Sequence, residues 1–232
     1  VDTLNYNPKN PKLVDEWKEK LGIRKNAFVV GRIDRNQTRK KIPLTIDAFV
    51  KFKKDFPEAV LLLWMDHKDP EGWDLDFVVK RAGLKEGKDV IFPPASLMAN
   101  FMYGTDPADL AMVANTLDCH LWLTGGEGFG LTGAETMACG VVNVATDYTT
   151  PKEIFDNWKC GLPVRVKYYE CGQAGVDRAF ADVDHAYEQM KWLRENPDER
   201  LAMSQAGVKR AREIYPWEKI CKQFDEHIRG IL

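Results

Sequence analysis

Short apolar runs alternate with helix-length amphipathic segments along most of this chain. Ala27-Phe28-Val29-Val30-Gly31 is a continuous apolar run, as in a strand covered on both faces. Val60 to Met65, Val90 to Phe92, Cys119 to Leu123 and Val141 to Ala145 repeat the pattern, and Gly161 to Val166 reads as the last strand. Helical segments lie between them: Lys12 to Leu21 with Gly22 as C-cap, a helix opened by Pro43, then Leu75 to Ala82, Pro107 to Thr116 and Gly133 to Ala138. Strands separated by helices predict βαβ units, and right-handed crossovers make the expected fold a doubly wound parallel α/β sheet, Rossmann-like. Asp182 to Asn196, Pro197 to Ile214 and Pro216 to Ile231 then read as three consecutive C-terminal helices. The start of the chain, with Pro8 and Pro11, reads as an extended linker, and Phe92 to Thr105 and Lys167 to Ala179 read as long loops.

Composition narrows the function without naming it. A chain of 232 residues, 44% hydrophobic and 29% charged, can bury the core of one large domain. A formal net charge of −2 gives no general attraction to nucleic acid or to an anionic membrane. The apolar runs are too short to span a bilayer, and no signal peptide is visible. The chain begins at Val1 without a methionine, so an upstream segment is expected. Five cysteines show neither a CxxC pair nor zinc spacing, and read as reduced structural thiols of a cytoplasmic protein.

In a doubly wound sheet, ligands bind beyond the C-terminal ends of the strands, so the residues there carry the chemistry. After Leu123 comes Thr124-Gly125-Gly126-Glu127-Gly128-Phe129-Gly130-Leu131-Thr132 and then a helix. The glycines let backbone approach a ligand, and the helix N-terminus is a seat for phosphate. With the helix starting near Thr132, Glu135 falls in its first turn, where a carboxylate can accept two hydrogen bonds from a ribose diol. After the first strand, Gly31 is followed by Arg32, Arg35, Arg39, Lys40 and Lys41, a cationic block placed to neutralise a diphosphate without a metal.

These two elements, in this order, resemble the retaining GT-B glycosyltransferases of the "glycosyl transferases group 1" family, which includes glycogen and sucrose synthases and mannosyltransferases. The family's GR…KG segment corresponds to Gly31-Arg32…Lys40-Lys41, and its E-x7-E motif to Glu127-Gly128-Phe129-Gly130-Leu131…Glu135. The likeness continues through Val141 to Asp147 and Glu153, and Tyr215-Pro216-Trp217-Glu218 resembles the opening of the family's terminal helix. Residues 1–10 resemble the interdomain linker, so residues 11–214 would be the nucleotide-sugar-binding half of a GT-B fold. Residues 215–232 would pack on a missing N-terminal, acceptor-binding domain. Three departures stand out: Lys41 replaces a glycine, Val142 a proline, and Thr149-Thr150 a glycine pair. The interval from Arg32 to Lys40 is also longer than usual, which leaves Lys41 as a competitor of Lys40.

The resemblance implies transfer of a hexosyl group from a UDP-, GDP- or ADP-sugar to an acceptor, with retained anomeric configuration and no bound metal or cofactor. Arg32, Lys40 and Glu127 would be catalytic, the cations stabilising the departing diphosphate and Glu127 touching the transferred sugar. Gly31, Lys41, Gly128, Phe129, Gly130, Leu131, Thr132 and Glu135 would complete the donor site. A full-length enzyme of this kind would be cytoplasmic, with peripheral membrane association compatible with the resemblance. Asp74-Leu75-Asp76 and Asp182-Val183-Asp184 read as helix caps rather than metal ligands, and His120 as a satisfied core residue. A dinucleotide-dependent oxidoreductase would need G-x-G-x-x-G after the first strand, and Gly31-Arg32-Ile33-Asp34 lacks it. A non-catalytic nucleotide or sugar-nucleotide binding module stays open as the alternative.

Overall fold

Alternation along each strand sorts the valines, leucines and tryptophans onto two faces, because successive side chains of a strand point in opposite directions. The computed structural model describes residues 1–94, 97, 104–172 and 175–231. Strands β1 (Val29–Ile33), β2 (Val60–Trp64), β3 (Val90–Ile91), β4 (Cys119–Trp122), β5 (Val142–Thr146) and β6 (Gly161–Val164) form a parallel sheet in the order β3-β2-β1-β4-β5-β6. One face carries Val30, Leu61, Leu63, Leu121 and Val144 against helices α2 (Ile42–Asp55), α3 (Leu75–Arg81) and the later α7 (Val183–Glu195). The other carries Val29, Leu62, Trp64 and Trp122 against α4 (Pro107–Asn115), α5 (Leu131–Ala138) and the later α8 (Pro197–Ile214). Both faces are buried, which accounts for the unbroken apolar runs and confirms the doubly wound class.

Helix α1 (Pro11–Lys20) precedes the sheet, and α6 (Pro151–Ile154) joins β5 to β6. After the sheet come α7 (Val183–Glu195), α8 (Pro197–Ile214) and α9 (Trp217–Ile231), close to the three helices expected. Asp74 caps α3 through Phe77 N–H, and Asp182 caps α7 through the N–H groups of Asp184 and His185. Both Asp-x-Asp triplets are therefore helix starts. All five cysteines are free, with Cys119, Cys139 and Cys160 buried.

Two expectations change. Lys167 to Ala179 is not a loop: β7 (Val166–Cys171) and β8 (Asp177–Ala181) pair as an antiparallel hairpin. β7 is mostly exposed and only Ala179 and Ala181 of β8 are buried, so cohesion comes from cross-strand pairs such as Tyr168 stacked on Phe180 at 4.5 Å, and no apolar run announces the hairpin. The linker-like residues 1–10 pack against the domain. Val1 and Tyr6 are buried, Val1 N donates to Tyr215 O, and Lys9 N–H donates to Asn115 Oδ1 at 2.8 Å. Finally, α5 starts at Leu131, which puts Glu135 in its second turn. The expected long loop from Phe92 to Thr105 lies largely outside the described residues.

Candidate functional site

The strand order reverses between β1 and β4, the place where an open parallel sheet leaves a crevice. Here the two strands pair only through Val30–Cys119 and Gly31–His120. Beyond that point Ile33 N–H donates to Nε2 of His120 at 3.2 Å instead of continuing the ladder, so the strands part at their C-terminal ends. A cleft of about 540 Å³ opens there, lined among others by Ile33, Asp34, Trp64, Asp66, Thr105 and Thr132. That volume suits a nucleotide, with an apolar wall for a base and carboxylates for hydroxyls and amines. A second cleft of about 370 Å³ is lined by Gly126, Glu127 and Gly128 together with Arg39, Tyr148 and Arg178. The Gly-rich loop runs from one cleft to the other.

The backbone of that loop is unusually free. The N–H groups of Gly128, Phe129, Gly130, Leu131 and Thr132 donate to no acceptor among the described residues. They lead into α5, whose N-terminus adds a positive dipole end. Consecutive unpaired amides at such a place form a ready seat for an anion. Gly130 is the N-cap with φ of 96°, and the closeness of the loop to the core depends on its lack of a side chain: a Cβ there would lie 2.1 Å from Cη2 of Trp122.

The cationic block is arranged differently from the sequence expectation. Every one of its members already has an acidic partner. Arg35 pairs with Asp69 at 2.9 Å and Glu71 at 3.1 Å, and Lys41 with Glu170 at 3.4 Å. Lys40 sits between Asp34 and Glu127, with Nζ 2.8 Å and 2.7 Å from their oxygens. Arg39 reaches the other oxygen of Glu127 at 3.4 Å, and the Thr124 hydroxyl donates to Glu127 at 2.7 Å. Arg32 is 0% exposed and is spent on Asp34, the Thr45 hydroxyl and the Lys40 carbonyl. It lines neither cleft, so its guanidinium braces the turn that carries Lys40 instead of facing the ligand side directly. The run of signs is visible in the sequence; apart from Asp34, the acids that meet it come from other segments. Burial pushes the Asp34 carboxyl up, but Arg32 and then Lys40 outweigh it and hold it below the usual range.

The family model described as Glycosyl transferases group 1 matches residues 14–210. The chain belongs to that family. A probable sucrose-phosphate synthase of Thermosipho melanesiensis is 26% identical over 226 residues, covering 95% of this chain and 44% of the relative. Sucrose synthase 1 of Oryza sativa subsp. japonica is 34% identical over 92 residues, covering 40% of this chain and 10% of the relative. The chain thus spans less than half the length of these curated relatives. Among solved structures, the C-terminal domain of a glycosyl transferase group 1 family protein (LpcC) from Francisella tularensis matches with a TM-score of 0.71 at 20% identity, covering 94% of this chain and 99% of that one. Anabaena HepE in complex with UDP-glucose matches with a TM-score of 0.79 at 18% identity, covering 99% of this chain and 56% of that one. At such identities the structures establish a shared GT-B-type fold.

Within this glycosyl transferase domain the motif residues fall into distinct places. Gly31 faces the core, where a Cβ would be 2.2 Å from Leu117. Glu127 and Gly128 line the second cleft, and Thr132 the first. Phe129 packs edge-on against Tyr215 with ring centroids 5.7 Å apart, and Leu131 borders a groove with Trp217 and Ile220. Glu135 lines neither of the two clefts: it lies on α5 near Tyr6 and Cys139, where burial pushes its carboxyl up to about 7. Two departures from the family pattern become intelligible. Lys41 and Thr149, which stand where the family has glycine, both adopt left-handed backbone, with φ of 51° and 60°. Lys41 is held by its ammonium over the Phe180 ring at 3.8 Å. Thr149 is β-branched and strained there, and its hydroxyl oxygen accepts the Glu127 N–H at 3.0 Å. Asp34, Thr124, Tyr148 and Arg178 are site residues that no motif pointed to; only the adjacency of Asp34 to the cationic run was a visible signal.

His120 is a structural histidine, as its place in an apolar strand suggested. Nε2 accepts from Ile33, so the proton is on Nδ1 and is given to Asn143 Oδ1 at 2.6 Å. Burial lowers its pKa to about 4. The unfolded chain takes up this proton between pH 6.5 and 4, whereas the folded chain does not. Its contribution is therefore whole above pH 6.5 and falls by about 3 kcal/mol as the pH drops to 4. Glu135 acts oppositely, stabilising below pH 4.5 and losing that contribution as the pH rises towards 7. Proton NMR should find the His120 ring neutral down to about pH 4; a midpoint near 6.5 would refute the buried assignment.

Proposed function

We propose that this domain binds the nucleoside diphosphate of a nucleotide-sugar donor and presents its hexosyl group for transfer. The run of amides from Gly128 to Thr132, unpaired among the described residues and placed where the sheet divides, carries the reading. The diphosphate would lie against those amides, with Lys40 beside it and Glu127 directed at the sugar. The solved neighbour bound to UDP-glucose supports this class of ligand. As the glycosidic bond to the diphosphate breaks, charge grows on the departing oxygen. Preorganised amides and the Lys40 ammonium oppose that charge without a metal. The anomeric carbon would pass through an oxocarbenium-like state, with configuration retained as the family resemblance implies.

Glu135 lines neither cleft, but it lies one helical turn beyond Thr132 of the first, so a ribose diol held there would give binding a pH signature. Only its ionised form accepts two hydrogen bonds from a ribose diol, and burial pushes its carboxyl up to about 7. Calorimetry with UDP-, GDP- and ADP-sugars, whose diphosphates stay ionised throughout, should therefore show affinity rising roughly tenfold from pH 6 to pH 8. Glu135→Gln should bind more weakly and lose the pH dependence; an unchanged profile would remove Glu135 from the ribose role. EDTA should leave the affinity unaltered. Absence of binding by every nucleotide tested would reduce the assignment to fold alone.

The acceptor-binding half would lie outside this chain, which covers about half of HepE. Helix α9 supports that placement, because Trp217, Phe224, Ile228 and Ile231 form an exposed apolar stripe at helical spacing. For the chain by itself, the same observation favours binding without transfer. A donor-hydrolysis assay separates the two readings, since turnover by the isolated chain would show a complete catalytic site.

A further inference from the structure

The β7–β8 hairpin brings a cation to the site that the sequence motifs did not include. Arg178 is on β8, and its Nη1 lies 3.4 Å from where a Cβ on Gly126 would be. Among the described residues it has no carboxylate within ion-pairing distance. Its cross-strand neighbour Glu170 is taken by Lys41 at 3.4 Å, and Asp177, one residue earlier, lines the same cleft without forming an ion pair with it. The hairpin is docked on either side of this position: Ala179 N–H donates to Gly125 O at 3.1 Å, and the Tyr148 hydroxyl donates to Asp177 O at 3.0 Å. Arg178 shares the second cleft with Arg39, whose contact with Glu127 at 3.4 Å is long, while Lys40 at 2.7 Å already neutralises that carboxylate. Around the second cleft, then, Arg32, Arg39, Lys40 and Arg178 face Asp34, Glu127 and Asp177, which leaves one positive charge over, and among the described residues Arg178 is the cation there without an ion pair.

We propose that Arg178 and Arg39 form a subsite for the carboxylate or phosphate of an anionic sugar. The placement beside the transferred hexose rests on the donor-binding reading; the preference for an anion rests on the cleft itself. Two guanidiniums can hold a carboxylate or phosphate through paired N–H donors, which a lone lysine could not do with the same directionality. The anion could be carried by the donor sugar or by the acceptor, and the two sources are distinguishable.

The test uses the full chain in calorimetry. Glucose 6-phosphate and glucuronate, each against glucose, probe an acceptor-borne anion with and without UDP present. UDP-glucuronate against UDP-glucose probes a donor-borne one. The subsite requires at least one anionic probe to bind about tenfold more tightly than its neutral counterpart. Arg178→Gln should erase that preference while lowering UDP affinity less than twofold, and Arg178→Lys should keep part of it. Arg39→Gln, on a separate element, should reduce the same preference and guards against a misfolded hairpin. No preference for either anion, or an equal loss of UDP and anionic probe in Arg178→Gln, would overturn the proposal. UDP failing to bind while glucose 6-phosphate binds would sink the donor reading and leave the anion subsite standing.

Discussion

Replacing Lys40 with methionine should destabilise the domain by about 3 kcal/mol, because it leaves two enclosed carboxylates facing each other without their shared cation. Asp34 and Glu127 are 4% and 6% exposed in their side chains, so water cannot replace the ammonium. Arg32 still meets Asp34 at 3.0 Å, and Thr124 still donates to Glu127, which keeps the loss at the lower end of the range for broken buried pairs. Urea unfolding measures the effect. The double variant Lys40→Met, Glu127→Gln should recover at least about 1 kcal/mol, since the charge left alone has been removed as well. Additive losses would show that Lys40 and Glu127 do not interact as the structure places them. Nucleotide-sugar affinity should fall roughly a hundredfold in the single variant, the magnitude of a strong charge-assisted hydrogen bond. Retained affinity would move the diphosphate away from Lys40.

Gly130→Ala should lower stability by about 3–4 kcal/mol, combining strained backbone with overpacking. Its φ of 96° lies beyond the left-handed well open to L-residues, and the new methyl would collide with Trp122, which is itself wholly buried. For a domain of this size that corresponds to a fall in Tm of roughly 10 °C. Gly128→Ala is the control: nothing lies within 4 Å of the added carbon, so Tm should move little. A shift of less than about 3 °C for Gly130→Ala would mean that the loop can draw back from Trp122. Should the loop draw back, the amides from Leu131 onward would shift with it, so nucleotide binding should weaken even where the fold survives.

The contrast between Gly128 and Gly130 shows how far a sequence can be read. Both belong to one Gly-rich loop, and composition treats them alike. Which of them is indispensable depends on Trp122, a core residue whose ring happens to lie under Gly130 and Gly133. The cationic block teaches the same lesson with charge. Arg32, Arg35, Arg39, Lys40 and Lys41 are adjacent in the chain, yet their partners Asp69, Glu71, Glu127 and Glu170 arrive from β2, β4 and β7 and the loops around them. Arg32 shows the sharpest change, from an expected ligand contact to an enclosed brace for the turn at Lys40. Lys41 and Thr149 add a third case: residues that disfavour left-handed backbone adopt it because Phe180 and Glu127 hold them there.

What the sequence determined by itself is periodic or contiguous. Buried parallel strands must be apolar throughout, helices between them must show a 3.6-residue stripe, and caps must precede the helices they serve. Those local rules carried the α/β class, the strand succession and the three final helices, while the contiguous run from Gly126 to Glu135 carried the resemblance to the family. What only the tertiary structure decided is pairing between distant segments. An exposed hairpin held by cross-strand contacts has no apolar run to betray it, so β7 and β8 went unseen and Arg178 with them. Ion pairs and steric contacts depend on distance in space, and that distance is set by how the loops return over the sheet.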